Sequence, residues 1–375
     1  MRGRGDHRGQ QHVLAGLLGV SALLSVTSSP GTSHPAGPGQ EPSDKIGLVL
    51  TDWRFALHET PEKSECPAGL QKGEAEQFKA EPDHLTQLKN FGGFQNRGRN
   101  GENANHTPMA VEDALPFSEL KTTVGYGLNL DGTADGQATS KSCKHEKFTS
   151  REGERVDNQM ARVVACVMGW RTTGFMAEFY SDEVETSPIN RHLIEITSVD
   201  DATNDPSVEV ALYKGRDRLV RSASGNFIPF ISHRVDERFP QYVFKTRGKI
   251  VDGVLMSDPI PLARLPLNIV QIPGERRIRD LRLRLKLTET GADGVLAGYE
   301  DVDAWWAMHS KGPGVGSDIG AFSPAGLYRA ARRYADGFPD AATGECTAIS
   351  VTYKVTAVRA LIIHSGSRSA VAKRQ

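Results

Sequence analysis

The 375-residue chain has no excess charge of either sign and no apolar run long enough to cross a membrane. Lys and Arg total 45 against 46 Asp and Glu, so the charge balance gives no reason to expect a nucleic-acid partner. The apolar run at 13–26 is 14 residues long, whereas a membrane-spanning helix needs about 20. Composition and run length therefore exclude a membrane helix bundle.

Standard catalytic signatures are also missing. The sequence contains no GxSxG nucleophile motif, no P-loop, no HExxH zinc motif and no SxxK motif with its partners. A glycine-rich stretch at 314–320 does not follow a strand of the kind that precedes a dinucleotide-binding loop. The sequence thus gives no direct indication of a catalysed reaction.

The N-terminal residues have the pattern of a secretory signal peptide. Arg2, Arg4 and Arg8 precede the apolar run, and small residues follow it. This order of basic, apolar and small residues predicts a signal peptide over 1–28, with an uncleaved anchor helix as the alternative. We expect a Pro/Gly/Ser-rich flexible leader at 29–44, one β-rich domain at 45–364 and a disordered tail at 365–375. The expected location is the periplasm or the extracellular medium.

Cysteine is scarce, with four residues in the chain: Cys66, Cys143, Cys166 and Cys346. None belongs to a CxxC pair, which argues against a zinc ribbon or a redox motif. An even number of cysteines in an exported protein favours two disulfides. Because a short loop closes most easily, we expect Cys143–Cys166, which leaves Cys66–Cys346 as the second pair.

Short β-branched runs dominate the second half of the chain. Residues 281–287 alternate strictly between Leu and a basic residue, and residues 46–57 form an apolar strand pattern. Helices are expected within 158–168, 300–309 and 323–337, where capping residues flank apolar positions. The predicted fold is mainly β, sandwich or jelly-roll-like, with a few short helices and disulfide bonds.

One acidic loop has the composition of a calcium site. Asn129, Asp131 and Asp135 alternate with small residues, and Gly136 follows. Alternate oxygen side chains can converge on one Ca²⁺, with Glu146 or Asp157 completing the shell. The EF-hand pattern fails because its twelfth position is a serine, so a solvated Asp-Gly turn is the competing interpretation. No other cofactor is expected.

Two further sets of residues are candidates for ligand binding. Trp305 and Trp306 can present flat ring faces to a sugar, with core packing as the alternative. Arg282 and Arg284 lie on the basic face of the alternating strand, which can bind an anionic polymer or simply keep a sheet surface soluble. For a hydrolase, the polar residues around Cys143 supply the candidate site: His145, Glu146 and Asp157.

The segment that carries these residues resembles an uncharacterised group of exported bacterial proteins. The shared pattern is LDG at 130–132, Cys143, DNQ at 157–159 and Cys166, followed by similar segments at 204–210 and 336–355. The resemblance implies export and a single structural unit, and it implies no activity. We expect a non-catalytic module that binds a glycan or another envelope component. A hydrolase acting on such a polymer and a structural envelope component are the alternatives.

Overall fold

An antiparallel β-sheet that closes on itself forms the centre of the protein. The computed structural model describes residues 44–71, 102–103, 106–110, 118–269, 272–310 and 324–365. The predicted signal peptide lies outside the described residues, as do the predicted leader except residue 44 and the predicted tail except residue 365. The strands are β1 Lys45–Phe55, β2 Phe148–Thr149, β3 Arg155–Val156, β4 His192–Thr197, β5 Asp205–Lys214, β6 Ile231–Arg234, β7 Phe244–Val251, β8 Val254–Ser257, β9 Ile260–Ile269, β10 Ile272–Leu287, β11 Gly291–Asp301, β12 Gly337–Pro339 and β13 Cys346–Ile363.

Closure follows from the pairing of the first and last strands. Hydrogen bonds connect the strands in the order β1–β4–β5–β7–β8–β10–β11–β13, and β1 also pairs with β13. Strand β9 pairs with the first part of β10, while β12 and β6 pair with the two ends of β13. A closed sheet has an inner and an outer face, and alternate residues of each strand point to opposite faces.

The inner face is filled by aliphatic side chains. Leu281, Leu283 and Leu285 are at most 1% exposed, whereas Arg282 and Arg284 point to the outer face. The predicted alternation in this strand is therefore confirmed, as is the mainly β class with short helices and two disulfides. Strict alternation indicates a strand with one buried face. Because strands of a closed sheet and strands of a two-sheet sandwich both have one buried face, the alternation does not distinguish the two folds.

Four α-helices lie within the described residues: α1 Met160–Val164, α2 Phe175–Thr186, α3 Val302–His309 and α4 Pro324–Arg333. Three lie inside the predicted helical segments. Asp301 caps α3 by accepting a hydrogen bond from the backbone N–H of Ala304. Asp157, the capping residue that the sequence suggests for α1, does not cap it, because its carboxylate accepts from the backbone N–H of Leu130 and contacts His145 and Lys147. In the part of the chain that is described, no helix combines the length and the apolar character needed to span a membrane.

The two disulfides join Cys66 to Cys166 and Cys143 to Cys346. The predicted pairing is therefore wrong, although all four cysteines are bonded. A bridge between Gln71 and Val167 brings the segment after β1 alongside the end of α1, next to Cys166. Long-range packing, rather than short loop closure, selects the partners.

Candidate functional site

Trp305 and Trp306 belong to the core. They are 1% and 6% exposed, and the Trp305 ring contacts the rings of Trp170 and His309. A buried ring offers no face to a sugar, so the structure corrects the expectation of a stacking platform. Both residues fulfil the core-packing alternative.

The two arginines of β10 have partners within the protein. Arg282 donates hydrogen bonds to the carbonyl oxygens of Asn129 and Leu130, both at 2.9 Å. Arg284 forms an exposed ion pair with Glu154. The basic face does not extend to Arg276 at the start of the same strand, because Arg276 is 2% exposed and pairs inside the protein with Glu300. Arg282 holds the acidic loop against the outer face of the sheet.

Below that loop lies a buried group of charged side chains, which we call the Asp157 cluster. Its members come from the acidic loop, from the segment after Cys143, and from the residues that precede α1 and β12. The cluster consists of Asp131, His145, Lys147, Asp157 and Asp336. The exposed fraction of each of these side chains is 5% or less. The disulfide from Cys143 to Cys346 joins the second segment to the start of β13.

Lys147 is at the centre of the Asp157 cluster. Its Nζ lies 2.6 Å from Asp131 Oδ1, 2.9 Å from Asp157 Oδ1 and 2.8 Å from the amide oxygen of Asn129. His145 Nε2 lies 2.8 Å from Oδ1 of Asp157, so the histidine and the lysine share this carboxylate. Two cations and three carboxylates are thus packed together out of contact with water.

The cluster shifts the pKa values of His145, Asp157 and Asp336. Burial would lower the pKa of His145, but the hydrogen bond to Asp157 and the charge of Asp336 outweigh it and raise the pKa to about 9. Burial raises the pKa of Asp336 to about 7. Burial would also raise the pKa of Asp157, but the hydrogen bonds from His145 and Lys147 lower it. At neutral pH, His145 is a cation beside an ionised Asp157.

This arrangement does not serve a hydrolase. A catalytic base needs a free lone pair, but Nδ1 of His145 is bonded to the carbonyl oxygen of Cys143 and Nε2 to Asp157. The side chain of Glu146 is 89% exposed and lies 3.7 Å from Nη2 of Arg162, and its backbone carbonyl accepts a hydrogen bond from Gln159. The structure brings His145 and Asp157 together, and it leaves Glu146 outside.

The acidic loop folds around an ammonium group. Asn129 and Asp131 converge with Asp157 as expected for a cation site, but their oxygens contact Lys147 Nζ. Asp135 is exposed and accepts a bond from the backbone N–H of Gln137. Asp131, His145 and Asp157 have donor atoms close enough to share a metal, but the lysine already compensates their charge.

A second feature is an open groove on the outer face of β4, β5 and β7, which we call the outer groove. It encloses about 470 Å³, a size typical of ligand sites. Register places Glu195, Ala211 and Lys245 in one row across the three strands. The next row is Thr197, Glu209 and Arg247. The alternation of 192–197 and 205–214 could have placed these residues on an outer face, but it could not show which strands are neighbours.

Glu195 is held in a fixed position at one end of the outer groove. Its carboxylate accepts a hydrogen bond from the Tyr213 hydroxyl at 3.3 Å and lies 3.0 Å from Nε2 of His364. Burial together with the charge of Glu195 raises the pKa of Tyr213 to about 12. The rings of Tyr213 and His364 pack edge to face, 5.2 Å apart. A preorganised acceptor therefore borders an open polar surface.

The basic residues on the other side of the outer groove are available for a ligand. Lys245 and Arg247 are exposed, and no ion pair joins either of them to another residue in the described ranges. In the register of β5 and β7, Lys245 lies opposite Ala211 and Arg247 lies opposite Glu209.

Comparison with protein-family models, with curated proteins and with solved structures finds no match to this chain.

Proposed function

We propose that this protein is an exported, non-catalytic binding module for a glycan or another envelope component. The observation that carries the proposal is the outer groove, an open polar surface with a fixed carboxylate at one end and, at the other, two cations that form no ion pair within the described residues. Hydroxyl-rich ligands are recognised by such sets of donors and acceptors. The disulfides are consistent with an oxidising compartment, which supports export.

The charges of the outer groove favour a glycan that carries anionic groups. Lys245 and Arg247 can pair with carboxylates, phosphates or sulfates of the ligand. Glu195, Glu209 and Thr197 offer acceptors and a hydroxyl to the sugar ring. Because Glu195 is already bonded to Tyr213 and His364, little side-chain entropy is lost when it binds a ligand.

The test is a glycan array of neutral and acidic oligosaccharides, followed by calorimetry with the best acidic ligand. We expect the double variant Lys245→Ala/Arg247→Ala to weaken binding about tenfold or more, the loss expected for one to two charged contacts. The matched control is Arg284→Ala/Lys286→Ala, which removes the same charge from the outer face of β10. Equal loss in both variants, or no acidic ligand at all, contradicts the proposal.

A hydrolase remains the second candidate only in the outer groove, since the Asp157 cluster is enclosed. Glu195 and Glu209 are two carboxylates on one open surface, and glycoside hydrolysis uses such a pair. New reducing ends on incubation with the bound oligosaccharide, abolished in Glu209→Gln, would favour this candidate. The absence of such products favours the binding module. A structural role in the envelope stays a prediction.

A further inference from the structure

We propose that Lys147 and Asp131 become joined by an intramolecular amide bond between Nζ of the lysine and the side-chain carboxyl of the aspartate. The two groups are 2.6 Å apart, measured from Nζ to Oδ1, and neither side chain is exposed to water. Groups held at this separation have the proximity of an intramolecular reaction, which replaces the entropy cost of an encounter. This bond is independent of the proposed function.

Asp157 is positioned to move the protons of the reaction. Its two carboxylate oxygens lie 2.9 and 3.0 Å from the same Nζ, and its side chain is also fully enclosed. Asp157 is ionised and faces Nζ, so it can take a proton from the nitrogen once formation of the C–N bond makes that nitrogen acidic. Asp131, Lys147 and Asp157 therefore supply an electrophile, a nucleophile and a proton carrier.

The atoms balance without a co-reactant. The Lys147 ammonium transfers one proton to the Asp131 carboxylate, which gives a neutral amine beside a carboxylic acid. The nitrogen lone pair then forms a bond to Cγ of Asp131, while Asp157 takes a second proton from nitrogen. Asp157 returns that proton to the departing hydroxyl, the C–O bond breaks, and water leaves. One proton stays on the amide nitrogen, and Asp157 ends as it began.

The surroundings favour the product. An enclosed site penalises charged groups, and the reaction replaces an ammonium and a carboxylate by a neutral amide. Enclosure also limits the return of water that would hydrolyse the bond. His145 remains as the cation beside Asp157 after the lysine charge has gone. The cluster can therefore lose one ion pair without leaving Asp157 uncompensated.

Asn129 also contacts the lysine, but it is a poorer acceptor of the bond. Its amide oxygen accepts from the backbone N–H of Gly132, and its amide nitrogen donates to the carbonyl oxygen of Thr133. Asn129 is exposed, whereas the Asp131 side chain is enclosed. Attack on Asn129 would release ammonia, whereas attack on Asp131 releases water, so mass distinguishes the two.

The test is mass spectrometry of the purified full-length protein. After reduction, alkylation and trypsin, we expect segment 122–141 to be covalently joined to segment 145–151, with the loss of one water and no cleavage after Lys147. Two separate peptides, with cleavage after Lys147, overturn the proposal. Loss of ammonia with a link to Asn129 overturns the choice of Asp131.

Matched variants and an internal control sharpen the result. Lys147→Arg keeps the positive charge and should give only unlinked peptides, and Asp157→Asn should greatly reduce the linked fraction. Lys214 and Asp236 form a second buried pair, with Nζ 2.9 Å from Oδ2, but the salt-bridge partners of Lys214 in the described ranges include no second carboxylate. This pair should stay unlinked. Full linkage in Asp157→Asn contradicts the proposed role of Asp157 in proton transfer. If a variant does not fold, the peptide map of the wild-type protein still shows whether the amide bond is present.

Discussion

Cys143 is bonded to Cys346, and this bond fixes the segment of His145 and Lys147 to the first residue of β13. The sequence separation of the two cysteines is 203 residues, so the bond removes a large loop from the unfolded ensemble. We expect Cys143→Ser/Cys346→Ser to lower the free energy of unfolding by about 2–5 kcal/mol, measured by urea titration.

Peptide mapping without reduction is the control for this prediction. It should recover Cys143 linked to Cys346 and Cys66 linked to Cys166. A peptide containing Cys143 linked to Cys166 would contradict the connectivity. A double variant with unchanged stability would contradict the stabilising role.

The His145–Asp157 pair should make stability depend on pH in both directions. The pKa of His145 is raised in the folded state to about 9, so its contribution is complete below its ordinary value of 6.5 and is lost as pH rises through 9. The pKa of Asp157 is lowered, so its contribution is present above 3.8 and is lost as pH falls. The raised pKa of Asp336 acts in the same sense as that of His145, since it lowers stability as pH rises from 3.8 to about 7.

We therefore expect the urea midpoint, as far as these groups set it, to be highest near pH 4 and to fall from there toward pH 9. His145→Gln keeps a hydrogen-bonding side chain but no titratable charge, and it should remove the part of the fall above 6.5. Glu289→Gln, an exposed substitution in the turn after β10, serves as the control. A slope above pH 6.5 that is equal in all three proteins would contradict the assignment to His145.

The sequence predicted the strands better than their arrangement. The alternation of 281–287 fixes which side chains of β10 are buried, because the side-chain period of a strand is two. It carries no information on whether β1 pairs with β13, which is what closes the sheet. Helix α2 was missed because FMAEFYSDEVET has only a weak apolar stripe and acquires its burial from packing against β1.

The candidate site was predicted in part for the same reason. Asn129, Asp131 and Asp157 were expected to converge on a cation, and they do, but the cation comes from Lys147. A lysine sixteen residues from Asp131 gives no local signal of burial. The outer groove was missed because its residues come from three strands whose register depends on the whole sheet.

Calcium should not stabilise the protein, because the acidic loop already compensates its charge with Lys147. A Ca²⁺ ion needs six to eight oxygen ligands, but one oxygen each of Asn129 and Asp131 and both carboxylate oxygens of Asp157 already face Nζ of Lys147. An amide between Lys147 and Asp131 would leave the loop with one carboxylate fewer for an ion. We expect the melting temperature to be the same in millimolar calcium and in chelator, and Asp135→Ala to leave it unchanged. A calcium-dependent rise that Asp135→Ala abolishes would restore the calcium site.

The buried pair of Arg276 and Glu300 should be among the most sensitive positions of the core. Nη1 of Arg276 lies 2.9 and 3.0 Å from the two carboxylate oxygens, and the Tyr353 hydroxyl donates to Glu300 at 2.7 Å. Glu300→Gln leaves a guanidinium buried without its counter-charge, so we expect a loss of about 3–5 kcal/mol in the free energy of unfolding. Adding Arg276→Met should recover part of that loss, because it removes the unpaired charge.

The matched control for this pair is Arg264 with Glu275, an ion pair of similar distance whose arginine side chain is 40% exposed. Because water screens an exposed pair, we expect Glu275→Gln to cost less than about 1 kcal/mol. The comparison is made by urea titration at one pH for the single and double variants. A cost for Glu300→Gln no larger than that for Glu275→Gln would contradict the expected sensitivity of the buried pair. If the double variant Glu300→Gln/Arg276→Met is less stable than Glu300→Gln alone, Arg276 stabilises the core by packing rather than by charge.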